Sequence, residues 1–149
     1  MRGIYEYHTR EQGWNDIGYN ALVDRFGTIY EGRAGGLARA TVGAHARGFN
    51  YGTFGVSLIG SYMRAVPPAA QTDAVAAIVA WRMDIAHIDP LARVDVESGG
   101  GSGARWPEGR HVTLRTIVGH RDVNYTDCPG DAFYPRLRAL RDAVMAVPG

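Results

Sequence analysis

The chain has 149 residues, 16 basic against 15 acidic side chains, and a formal charge of +1. That length suits one domain with a real core, and 46% hydrophobic against 21% charged residues argues against disorder. So even a charge balance argues against the concentrated basic surface that nucleic-acid binding needs. No stretch reaches the ~18 apolar residues of a membrane span. The opening residues Met1 to His8 have no apolar signal-peptide core. Every basic residue is Arg, which reflects coding bias and says nothing about function. The one cysteine, Cys128, cannot form an internal disulfide. It is a buried bystander, a reactive thiol or a metal ligand.

In chain order, residues 2–12 are expected to form a short helix with Ile4, Tyr7 and His8 on one face, stopped at Gly13. A strand is expected over Ile17–Asp24, with Tyr19, Ala21 and Val23 on one side. A turn at Arg25-Phe26-Gly27 returns the chain through residues 28–31, giving a hairpin. The glycine-rich stretch 34–53 has no period and is expected to be a compact loop of the kind that carries function on a rigid scaffold. The apolar run Phe54–Gly60 suits a buried strand. Pro67-Pro68 opens a helix over about residues 69–86, with Ala70, Ala74, Ala77, Ile78, Trp81 and Ile85 as its apolar stripe. Residues 93–114 form a hairpin with a Gly/Ser tip, and Arg115–His120 a buried strand. A last helix spans about 132–146, with Leu137, Leu140 and Val144 inward. The expected class is α/β: one domain over residues 1–149, with a mixed central sheet flanked by helices.

The sharpest chemical feature runs from Gly119-His120-Arg121-Asp122 to Asp127-Cys128-Pro129-Gly130. His120 and Cys128 are eight positions apart. A loop of that length lets imidazole and thiolate reach one zinc ion at ~2.0–2.3 Å. The bland alternative is a core Cys near a satisfied His. Two donors are in any case too few, because catalytic zinc takes three protein ligands and an open position. Tyr19 is an oxyanion donor or a packed strand residue. His45 is a substrate contact, a ligand or a loop-packing residue. Asn50 reads a substrate amide or hydroxyl, or stabilises its own turn. His8 reads as structural, His87 as a helix-end residue, and His111 carries no assignment. There is no H-E-x-x-H, Walker A or G-x-S-x-G pattern, nor the P-C-x-x-C of nucleobase deaminases.

Five stretches in order resemble the type-2 N-acetylmuramoyl-L-alanine amidase family, shared with peptidoglycan recognition proteins. They are Gly13–Asn20, Asp24–Arg33, Val42–His45 with Asn50, Gly55–Gly60, and Gly119–Asp122 with Thr126–Gly130. The resemblance covers essentially the whole chain, and the 93–114 hairpin is similar to an insertion in actinobacterial members. It implies zinc-dependent hydrolysis of the amide between N-acetylmuramic acid and L-alanine. His120 and Cys128 would be zinc ligands, Tyr19 and Thr126 catalytic, and His45 and Asn50 substrate-binding. The implied partners are the glycan strand and stem peptide of peptidoglycan, with no nucleic acid or membrane. A monomer and an envelope or secreted location are expected.

One feature of the family has no match here. Its third zinc ligand is a His on a first strand, upstream of the helix matching residues 2–12. The expected fold therefore lacks that strand, with Met1 corresponding to an internal Met and the missing His encoded upstream. His45 is the internal candidate for a third ligand, provided its loop moves. Two competing readings follow: a peptidoglycan-binding module without catalysis, and a thiol enzyme using Cys128 with His120.

Overall fold

Secondary structure is sparse and placed around loops. The computed structural model describes residues 1–148. Helix α1 spans Arg2–Glu6 and runs on into a π-helical turn, Tyr7–Glu11. The run ends before Gly13, whose φ of 67° is open to glycine without strain. Strands β1 (Ala21–Val23), β2 (Ile29–Glu31) and β3 (Val56–Leu58) follow. Then come α2 (Ala69–Ile85), β4 (Arg93–Glu97) and β5 (His111–Arg115). Short 3-10 turns lie at His120–Asp122 and Tyr134–Arg136, and α3 covers Leu137–Ala146.

The main sheet is mixed, in the order β2-β1-β3. β1 is antiparallel to β2, with Leu22 opposite Tyr30, and parallel to β3, with Leu22 opposite Ser57. The β1–β2 turn is set by Asp24, whose carboxylate accepts the N–H groups of Phe26 and Thr28 at 2.9 Å and the Tyr30 hydroxyl at 2.9 Å. These bonds hold the Asp24 carboxyl below the usual range. Among the described residues β3 pairs with β1 alone, so its other edge carries no strand.

The core joins the sheet to two helices. Val23 packs with Val75, Ala76 and Met83 of α2 and with Phe133, Leu137, Leu140 and Val144 at the C-terminal end. Leu137, Leu140 and Val144 recur at helical spacing, and burying such a stripe is what holds a ten-residue helix in place. A smaller cluster of Phe49, Val112 and Val123, with Trp106, Val96 and Leu114 against it, fastens the β4–β5 hairpin to the loops.

Three expectations are corrected. β1 does not alternate: Ala21, Leu22 and Val23 are all fully buried, because a central strand is covered on both faces. The α2 stripe is misplaced. Ala70, Ala77, Trp81 and Ile85 are exposed, and the buried face carries Gln71, Val75, Ala76, Ile78 and Met83. The misreading turns on Gln71, a polar residue that is fully buried because its amide donates to the Val23 carbonyl at 2.8 Å and the Ile59 carbonyl at 3.3 Å. Finally, residues 116–119 are not a strand, and His120 opens a 3-10 turn. Among the described residues no neighbouring strand offers a ladder there. Thr116 N–H bonds to the Ala92 carbonyl and the Ile117 carbonyl accepts from Arg141 Nε.

Candidate functional site

Two loops and a hairpin tip meet above the end of the main sheet and leave a groove of about 420 Å³. Trp14, Ala44, His45, Arg47 and Asn50 line one side, and His120, Asn124, Tyr125 and Thr126 another. Ser102 and Gly103 of the hairpin tip close it.

The first wall is held by side chains from the motifs around β1. Asn20 is buried, donates to the Thr41 carbonyl at 2.8 Å and accepts from Gly55 N–H at 2.8 Å. Arg33 Nε donates to the Ile17 carbonyl at 2.9 Å and its Nη1 to the Val42 carbonyl at 3.3 Å. His8 is buried as a structural residue, accepting from Gly18 N–H and stacking on Trp14 at 4.8 Å.

His45 sits in a cradle without side chains. A Cβ at Gly43 or at Gly55 would stand 2.4 Å from its ring. The ring lies parallel to Tyr19, with centroids 6.3 Å apart. Burial lowers its pKa to about 4, helped by His120 and Arg33. Its Nε2 is buried and has no hydrogen-bond partner. Burial, and then the neighbouring Cys128, pushes the Tyr19 phenol up. Asn50 lines the groove, but its Oδ1 accepts the N–H groups of His45 and Ala46 at 2.8 Å. Its turn-stabilising role is therefore present, and its side-chain NH2 is what remains for a ligand.

The second wall is a clamped loop. Arg121 Nε donates to the Cys128 carbonyl at 3.4 Å, Nη2 donates to the Asp127 carbonyl, and Nη1 pairs with Asp131 at 2.9 Å. The guanidinium lies over the Tyr134 ring. Asp122 accepts from Gly119 N–H and from the Tyr134 hydroxyl. Arg121 N–H also bonds to the Cys128 carbonyl at 3.0 Å, tying the His120 end of the loop to its Cys128 end. Thr126 Oγ1 accepts from Cys128 N–H at 3.2 Å, which leaves its hydroxyl proton free to point elsewhere. Burial lowers the His120 pKa, with the Asn124 side chain opposing. Burial raises the Cys128 thiol, with Arg121 opposing.

Comparison with known proteins agrees with this geometry. Residues 2–131 match the family model described as N-acetylmuramoyl-L-alanine amidase. The chain belongs to that amidase family. It is 36% identical over 138 residues to the Sus scrofa N-acetylmuramoyl-L-alanine amidase, covering 93% of this chain and 19% of the relative. It is 30% identical to peptidoglycan-recognition protein LB of Drosophila melanogaster, covering 92% of this chain and 47% of the relative. The chain thus spans from a fifth to about half of these curated relatives. Among solved structures, wild-type Drosophila PGRP-LB superposes with a TM-score of 0.69 at 29% identity, over 93% of this chain and 66% of that one. The Clostridium intestinale amidase LysC superposes with a TM-score of 0.64 at 27% identity, over 92% and 72%.

Zinc can be tested against the donors of this amidase-family groove. His120 and Cys128 fit in kind, being imidazole and thiol. They do not suffice in number: no group of three His, Cys, Asp or Glu side chains converges among the described residues. His45 is near enough to His120 to feel its charge, yet it does not complete a trio.

The chain's motifs therefore bring Tyr19, His45, Asn50, His120, Thr126 and Cys128 to one region. Sequence reasoning missed Arg47, Ser102 and Gly103 as groove residues, and gave no role to Trp14, Asn124 or Tyr125. Asn124 and Tyr125 lie between His120 and Cys128, so loop position alone pointed to them. The hairpin tip had no such signal, because contact between residues 99–105 and the loops is wholly tertiary.

Proposed function

We propose that the groove binds the muramyl peptide of peptidoglycan and that the protein hydrolyses the amide between N-acetylmuramic acid and L-alanine. The observation that carries this reading is that His45, His120 and Thr126 line one groove, with Tyr19 stacked on His45 and near enough to Cys128 to feel its charge, in a chain of the amidase family. His120 and Cys128 would be two of the donors to a zinc ion, which would supply Lewis-acid activation of water once a third donor completed its site. The chain's own residues do the rest. Tyr19 keeps its phenolic proton at neutral pH, as any phenol does and the more so because burial raises its pKa, and donates a hydrogen bond to the oxygen that gains charge at the scissile carbonyl. Thr126 has a free hydroxyl proton for the same oxygen. His45, neutral above about pH 4, walls the groove and orients Tyr19. A wall substrate implies work in the envelope or outside the cell. Relatives supply precedent for the ligand: peptidoglycan recognition protein-LE was solved with tracheal cytotoxin, described as monomeric diaminopimelic acid-type peptidoglycan.

A second reading, recognition without cleavage, is favoured by the donor set of two. Zinc per chain, measured after dialysis, and release of free L-alanyl amino groups from a muramyl peptide separate the two. Near one zinc with release supports the amidase. A folded, zinc-free protein that binds the peptide and leaves it intact supports recognition. A protein that neither binds nor cleaves overturns both.

A further inference from the structure

The tip of the β4–β5 hairpin is tied by its backbone to both walls of the groove. Ser98 is buried at the root of the tip, where its Oγ donates to the Trp106 carbonyl at 2.9 Å and accepts from Gly100 N–H at 3.1 Å. On one wall, Gly99 N–H donates to the Gly48 carbonyl at 2.8 Å, and a Cβ at residue 48 would stand 2.9 Å from the Gly100 carbonyl oxygen. On the other, Arg105 N–H donates to the Val123 carbonyl at 2.9 Å, Ala104 bridges to Asn124, and Tyr125 N–H donates to the Gly103 carbonyl at 2.9 Å. These bonds fix residues 123–125 through the main chain, independently of any long side chain.

What the fixed segment presents is one aromatic ring. Val123 and Asn124 are buried, whereas Tyr125 beside them is 69% exposed and lines the groove. An exposed Tyr is ordinary by itself; the setting of this one is not. The Arg105 guanidinium lies over the ring, 5.0 Å from its centroid, and Arg105 Nε donates to the Arg121 carbonyl. A cation thus covers one face of the ring and leaves the other toward solvent. The hydroxyl-bearing residues Ser102 and Thr126 line the same groove. A flat apolar face with neutral hydrogen-bonding groups nearby suits a pyranose, which has C–H groups on its faces and hydroxyls around its rim. Of the two parts of peptidoglycan, the glycan is the one built of such rings.

We propose that Tyr125, backed by Arg105 and fixed by the hairpin, is a stacking platform for a sugar ring of the wall glycan next to the muramic acid that carries the stem peptide. The groove then prefers a muramyl peptide set within a glycan chain over the same muramyl peptide alone. This rests on the peptidoglycan reading above, and it gives the hairpin a task, which is to hold the platform in place.

The test is calorimetric binding of two ligands with the same single stem peptide. One carries it on N-acetylmuramic acid alone, the other on a tetrasaccharide of the wall glycan. One stem per molecule keeps multivalency out of the comparison. The wild-type chain is expected to bind the tetrasaccharide about fivefold more tightly, the scale of one aromatic contact. The ratio should fall to about unity in Tyr125→Ala and be retained in Tyr125→Phe. No preference in the wild type, or an unchanged ratio in Tyr125→Ala, overturns the platform and leaves the peptidoglycan reading standing. If Tyr125→Ala binds neither ligand, Tyr125→Trp decides. Its added fluorescence should respond to the tetrasaccharide more than to the monosaccharide ligand, and an equal response to both overturns the platform. Failure of the wild type to bind either ligand overturns both readings.

Discussion

The Tyr19 and His45 rings lie 14° from parallel with centroids 6.3 Å apart, and glycines at 43 and 55 make the space for the imidazole. Both groups are buried enough to favour their neutral forms: burial raises the Tyr19 pKa and lowers that of His45 to about 4. The pair is therefore uncharged at neutral pH, in a groove where a polar carbonyl must be received.

A pH dependence of stability follows. The His45 pKa falls from 6.5 unfolded to about 4 folded. Between those values the unfolded chain binds more protons, so stability is full above about pH 6.5 and is lost as pH falls toward 4. The loss from His45 alone is about 3 kcal/mol, at 1.36 kcal/mol per pKa unit. His8 and His120 shift in the same direction, so the check is a difference. Urea unfolding of wild type and His45→Gln at pH 7 and pH 4.5 should show a smaller drop in the variant. Equal drops would remove His45 from this account.

Tyr19→Phe keeps the ring stack and removes the phenolic donor. On the amidase reading, muramyl peptide affinity should stay within about twofold while turnover falls on the order of 100-fold, the range for loss of one oxyanion donor. Binding by calorimetry alongside amine release checks it. A loss of affinity with turnover per bound complex unchanged would make Tyr19 a binding residue.

Arg121→Ala removes donors to the carbonyls of Asp127 and Cys128, the ion pair with Asp131 and the cover on Tyr134. The loop carrying His120 and Cys128 should loosen. On the amidase reading, zinc affinity, read by competition with a chromogenic chelator, should fall by about 10-fold or more, as for other residues that orient metal ligands. Unchanged affinity would mean that the loop is held without the clamp.

Gln71→Ala leaves the Val23 and Ile59 carbonyls without their amide donor and opens a small void among fully buried atoms. A cost of about 2–4 kcal/mol is expected in urea unfolding. Gln71→Leu restores volume without the donor and should recover only part of it. Full recovery by Leu would show that packing, not the hydrogen bonds, makes Gln71 necessary.

The sequence by itself determined the local elements whose causes are local. The helix from residue 2 to its stop at Gly13, the Asp24 turn, α2 after Pro68 and the inward stripe of α3 all come from short-range chemistry and spacing. The ordered motifs determined the family, and they singled out Tyr19, His45, Asn50, His120, Thr126 and Cys128 as candidates. Only the tertiary structure decided which face of α2 is buried, because Gln71 is driven inside by carbonyls of β1 and of the segment after β3. Only it decided that residues 116–119 are no strand, since a ladder needs a neighbour that sequence pattern cannot supply. It alone placed the 93–114 hairpin against the groove, for its contacts with Gly48 and with residues 123–125 join segments distant in the chain whose spacing carries no signal.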